Sequence, residues 1–232
     1  MKKILQATIF CVILVSLVGI QQVSAAMPVY KKVIMIDAGH GDWDPGKQSR
    51  GVDEKDINLA ISEQLQMLFE LGGAVVFTTR SGDTSLANRK RGDLTARANE
   101  ANELGADIFI SIHQNSFQSE AVYGAQVFYH NTGDQSKVLA ESIQARFNTF
   151  IGRRDGTPHT RLARAADSYF VLKKTTMPAV IVECGFMSNA QDLKLLQDEN
   201  FQARVVWAIY MGVMDYFGMD DAAEPEIGAG IK

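Results

Sequence analysis

Buried strands that alternate with amphipathic helices specify an α/β domain with a largely parallel sheet. Two features carry that expectation. VIMID (33–37), IFISIH (108–113) and AVIVE (179–183) are near-continuous apolar runs, the pattern of strands covered on both faces. The segments between them repeat apolar residues at three- and four-residue spacing, as helices packed on a sheet do. At 232 residues the chain is long enough for one domain with a full core, and its sequence shows neither an internal repeat nor a second domain.

The first residues stand outside this pattern. Lys2 and Lys3 precede an apolar run from Ile4 to Ile20, and VSA (23–25) follows. This order reads as a secretory signal peptide over residues 1–25, cut near Ala25 or Ala26, with an uncleaved membrane anchor as the alternative. The run contains Gln6, Thr8 and Ser16 and falls short of the roughly 20 apolar residues of a comfortable membrane span. No stable span is therefore expected once the leader is gone. The net charge is −4, and no basic stripe points to nucleic acid. Cys11 leaves with the leader, so Cys184 stands alone and an internal disulfide is excluded. Cys184 reads as a small core residue rather than a nucleophile.

Along the mature chain, VIMID breaks into the Gly-rich turn AGHGDWDPG and reaches a helix headed by Glu54. Ile57, Ala60, Ile61, Leu65, Leu68 and Phe69 form that helix's apolar stripe, and Gly72 and Gly73 stop it. AVVFTTR (74–80) is a strand. Leu94, Ala98, Ala101 and Leu104 stripe the next helix, which Gly105 ends. AQVFYH (125–130) reads as a partly exposed or edge strand, and Leu139 to Phe150 as a helix. The segment 151–167 has no period and carries Arg153, Arg154, Arg161 and Arg164, which makes it a substrate-facing loop in expectation. YFVLK (169–173) reads as a short strand. A helix at DLKLLQ and a long one from Phe201 to Phe217 close the domain, taken as residues 30–217, and 218–232 reads as a disordered tail.

Open α/β sheets bind ligands beyond the carboxyl ends of their strands. His40, His113 and Glu183 follow three buried strands, and Glu54 closes the first connection. Two His and one Glu suit a catalytic zinc, which takes three protein ligands and leaves a fourth position for water. A carboxylate beside the ion can act as general base, and Glu183 fits that role, since a buried unpaired carboxylate is otherwise costly. His130 and His159 have weaker claims as ligands. Asp42 and Asp44 compete with Glu54 but are expected to shape the turn instead.

IDAGHGDWDPG, GVDEKDINLAI, ADIFISIHQNS and MPAVIVECGFMSN, in that order over nearly all of 30–217, resemble the zinc-dependent N-acetylmuramoyl-L-alanine amidases of bacterial cell walls. The resemblance implies a six-stranded sheet flanked by helices. It implies Zn2+ held by His40, Glu54 and His113, with Glu183 as the catalytic glutamate. It also implies hydrolysis of the amide between the lactyl group of N-acetylmuramic acid and L-alanine in peptidoglycan, outside the cytoplasmic membrane, in cell wall or spore cortex. The block RAADSYFVLKKTTMPAVIVECGFMSN is most similar to the germination-specific amidases of spore formers. Gln114, in place of a small residue, and Asp42, where glycine is frequent, depart from the common pattern. Three rivals stand beside this reading: a carboxypeptidase-like zinc peptidase, a non-catalytic wall-binding module, and an amidase that needs a partner such as a lipoprotein to hold its zinc. The first wants a close His-x-x-Glu pair, which His40 and Glu54 do not make.

Overall fold

The computed structural model describes residues 27–132, 134–151, 153–154, 157–158 and 160–222. The leader, His159 and the last ten residues of the tail lie outside them. In chain order the strands are β1 Val33–Ala38, β2 Gln48–Ser49, β3 Val52–Asp53, β4 Val75–Thr78, β5 Ile108–Asn115, β6 Gln126–Tyr129, β7 Arg153–Arg154, β8 Thr157–Pro158, β9 Arg164–Ala165 and β10 Ala179–Phe186. The helices are α1 Glu54–Leu71, α2 Lys90–Leu104, α3 Asp134–Phe150, α4 Phe170–Lys174, α5 Ala190–Leu196 and α6 Glu199–Ala222. The main sheet has six strands in the order β4-β1-β5-β10-β6-β9. The first four run parallel, and β6 lies antiparallel to β10.

Strand side chains alternate between faces. Ile34, Ile36, Ile108, Ile110, Ile112, Val180 and Val182 pack with α1, α3 and α6 into the larger core. Met35, Phe109, Ala179 and Ile181 meet α2 and α4 on the other face. In α1, Ile57, Ile61, Leu65 and Phe69 are buried at four-residue spacing, each worth about 1.5–3 kcal/mol of apolar burial. The helix stops at Gly73, whose φ of 83° favours glycine.

Two expectations need correction. YFVLK is not a strand, because Phe170–Lys174 is one helical turn and a half. A five-residue apolar run cannot declare its own period, and here Val171 and Leu172 are needed together to cover Met35 and Phe109. The sixth strand is instead Arg164–Ala165, inside the Arg-rich segment, and it pairs with Phe128 and Tyr129. AQVFYH is consequently the partly exposed strand next to the edge and not the edge itself. The closing helix also runs to Ala222, so residues 218–222, expected in the tail, are helical.

The chain enters at the edge where the parallel strands begin. Lys31 N–H donates to Gly73 O and Val75 N–H to Lys32 O. The opposite edge carries the residues that follow β1, β4, β5 and β10.

Candidate metal centre

At that edge Ala38 hands over to a sharp turn. His40, Gly41 and Asp42 have φ of 63°, 130° and 52°, three successive residues in left-handed space. The turn carries the His40 imidazole inward. A hairpin then delivers the next group: β2 pairs with β3 across Arg50 and Gly51, both at positive φ, a type I′ geometry. The hairpin ends on Glu54, the first residue of α1, where the helix dipole favours a carboxylate. β5 supplies His113, and β10 supplies Glu183 directly beside it in register.

Glu54 stands between the imidazoles. Its Oε2 lies 3.3 Å from His40 Nε2, and its Oε1 lies 2.9 Å from His113 Nδ1. The Lys47 N–H donates to Oε2 at 2.8 Å and the Gln114 N–H to Oε1 at 3.0 Å. Burial alone would raise the Glu54 pKa, but the hydrogen bonds and charge of His113 and His40 overcome it and hold the carboxyl well below its ordinary value. Burial likewise opposes a charge on His113, yet Glu54 outweighs it and raises that pKa. Asp44 Oδ2 lies 2.9 Å from His40 Nδ1, which leaves Nε2 for the centre. Gly39 has no room for a side chain, since a methyl group there would fall inside the His113 ring. At Gly46 it would strike Glu54 and His40.

One ligand atom from each of His40, Glu54 and His113 lies within 4.8 Å of the others. Two ligands of a tetrahedral zinc at ordinary bond lengths are about 3.3 Å apart, which the His40–Glu54 spacing matches. Two imidazoles and one ionised carboxylate are a donor set for zinc. Metal ligation needs a free ring nitrogen and an ionised carboxylate, so a divalent ion would compete with protons at this cluster.

Glu183 is buried and poorly partnered. Among the described residues its Oε1 accepts only a long bond from the Tyr169 hydroxyl, at 3.4 Å, and its Oε2 has no hydrogen-bond partner. Burial pushes its pKa up to about 7, with the Glu54 charge adding to the rise and His113 and Tyr169 opposing it. All four residues line a cleft of about 400 Å³, together with Asp37, Lys47, Gln114 and Tyr169.

The weaker sequence candidates are elsewhere. His130 turns to Thr132 and Asp167. Asp42 receives the Ser85 hydroxyl and faces away from the cluster, while Asp44 supports His40 without joining the three donors. Cys184 is buried under the sheet, where desolvation pushes its thiol pKa up, an inert core position. Arg161 is occupied by the Tyr123 carbonyl and Gln126. Asp37, Arg80, Arg97 and Tyr169 were not singled out from the sequence. The available signal was Arg97 itself, which interrupts an alanine stripe at a position the helix buries.

The N-acetylmuramoyl-L-alanine amidase family matches residues 34–215. The germination-specific N-acetylmuramoyl-L-alanine amidase of Bacillus subtilis (strain 168) is 32% identical over 200 residues, 83% of this chain and 82% of that protein. LytC of the same organism, an N-acetylmuramoyl-L-alanine amidase, is 34% identical over 192 residues, 82% of this chain, but the match spans only 36% of LytC. Among solved structures, the CwlD amidase of Clostridioides difficile, in complex with the GerS lipoprotein, superposes with a TM-score of 0.77 at 37% identity, covering 82% of this chain and all of that one. With this fold and a family match over most of its length, the chain belongs to the N-acetylmuramoyl-L-alanine amidase family of peptidoglycan hydrolases.

Proposed function

We propose that this chain is a zinc-dependent N-acetylmuramoyl-L-alanine amidase, and the observation that carries the reading is the His40–Glu54–His113 cluster with the half-satisfied Glu183 carboxyl beside it. His40, Glu54 and His113 would hold the ion. When bound, zinc supplies a water of lowered pKa and polarises the scissile carbonyl. Glu183 is poised, with a pKa near 7, to take a proton from the attacking water at its free Oε2. It then returns that proton to the departing alanine nitrogen. The Tyr169 hydroxyl steadies the other oxygen. The cleft keeps Glu183 largely from bulk water. Glu183→Ala should keep the metal, measured by mass spectrometry, and lose muropeptide cleavage. A variant that cleaves at a comparable rate sinks the assignment, and cleavage of plain peptides would favour the peptidase rival.

The finer reading is a secreted enzyme, freed of its leader near Ala25 or Ala26, that acts on spore-cortex glycan. Its support is the germination-specific relative, matched over most of both chains. Deleting the gene should abolish cortex muramic-δ-lactam; normal δ-lactam content rules the reading out. A lipoprotein that helps the enzyme retain zinc is a further part of it, supported by the GerS complex of the CwlD neighbour. Zinc titration with and without such a lipoprotein tests that part. The arginines of 153–164 are assigned to anionic groups of the stem peptide, except Arg161, which the fold already uses. Charge reversal at Arg164 should raise KM.

A further inference from the structure

We infer that Arg80 and Arg97 are positioning residues that lock the His40 turn in its ligating shape before any metal arrives. The inference rests on the reading of His40 as a ligand.

The left-handed run from His40 to Asp42 is unfavourable for residues with a side chain. It also turns the carbonyls of Ala38, Gly39 and His40 inward, where water cannot satisfy them. Two guanidinium groups do so. Arg97 Nη1 donates to Ala38 O at 2.9 Å and Arg97 Nη2 to His40 O at 2.7 Å. Arg80 Nε donates to Ala38 O at 2.9 Å and Arg80 Nη2 to Gly39 O at 3.2 Å. The same Arg80 Nη2 reaches Lys55 O at 2.7 Å, which ties the His40 turn to the first turn of the helix that carries Glu54. Asn58 adds a bond to Gly39 O at 3.0 Å.

Both arginines are themselves fixed. Arg97 is 2% exposed, and Asp93 and Asp37 each hold it at 2.6 Å. Arg80 is 5% exposed, and its remaining bond goes to Gly82 O. Neither group lies among the three ligand donors. Their effect passes through the backbone: each planar fork spans two carbonyls at a fixed separation, so His40 cannot relax toward an ordinary φ without breaking several bonds together. Lysine keeps the charge but has a single point of donation and cannot span them.

The test compares full-length wild type, Arg97→Lys, Arg80→Lys and His40→Ala. Zinc affinity is measured by chelator competition, the ligand field by cobalt(II) absorption, folding by melting of the metal-free protein, and kcat and KM on muropeptides. The expected result is a dissociation constant at least tenfold weaker in each lysine variant, an altered cobalt spectrum, and kcat lowered with KM little changed. The metal-free variants should still melt cooperatively. Lysine variants with wild-type affinity and spectrum overturn the inference, and so do lysine variants that no longer fold, since the arginines would then serve the core and not the ligand. If His40→Ala binds zinc as tightly as wild type, His40 is no ligand, and the proposed metal site falls first.

Discussion

Asp37 and Glu183 are both buried carboxylates near the ends of β1 and β10, the two strands that flank β5, on the same side of the sheet, yet the fold treats them in opposite ways. Asp37 accepts from Arg97 and Thr79 on Oδ1, at 2.6 and 2.8 Å, and from Ser111 on Oδ2. Burial alone would raise its pKa, but Arg97 and those hydrogen bonds outweigh burial and lower it. Glu183 has one long bond and one bare oxygen, and its pKa rises to about 7. A saturated carboxylate is fixed as an anion and serves structure. An unsaturated one can exchange a proton near neutral pH, the property the proposed general base requires, at a cost in stability.

The largest expected break in this comparison is Glu183→Gln. It removes a cleft carboxylate with an unused oxygen, so kcat should fall about 10²–10⁴-fold with metal content unchanged. Asp37→Asn does the reverse. It strips a buried guanidinium of a charged partner and should cost about 3 kcal/mol, roughly 10 °C in Tm, by calorimetry.

The pH dependence separates the two groups further. Glu183 binds its proton more tightly folded than unfolded, so the metal-free protein should lose stability as pH rises from about 4.5 toward 7, by about 3 kcal/mol at most. Metal-free Glu183→Gln should therefore be the more stable protein above pH 7 and match wild type below pH 4. Asp37 has the opposite sign: its contribution is complete above the unfolded carboxylate pKa and is lost as acid takes the pH down through its lowered folded value. Asp37→Asn should flatten that acid limb. The smallest effect is expected at Cys184, where Cys184→Ala should cost about 1 kcal/mol and leave kcat intact. A large loss of kcat would return Cys184 to the list of nucleophiles.

The sequence made His40, Glu54, His113 and Glu183 legible because each follows an apolar run or heads a periodic helix, and those patterns state where a strand ends. The strands β1, β5 and β10 were readable for the same reason. The parts that stayed hidden depend on distant partners. Arg80 looks like an ordinary surface arginine, and Arg97 shows only that it sits on a buried stripe, until the turn places three carbonyls before them. YFVLK and Arg164–Ala165 exchanged roles because a run of two to five residues takes its structure from the surface it meets. The hairpin between His40 and Glu54 was foreshadowed only by Arg50-Gly51.

One consequence concerns direction. Met27 to Lys32 sit where the parallel strands start, and the cleft opens where they finish, about 20 Å away along a six-residue strand. A tether fastened ahead of Met27 would leave the mouth of the enzyme facing outward, toward glycan and away from whatever surface the tether grips.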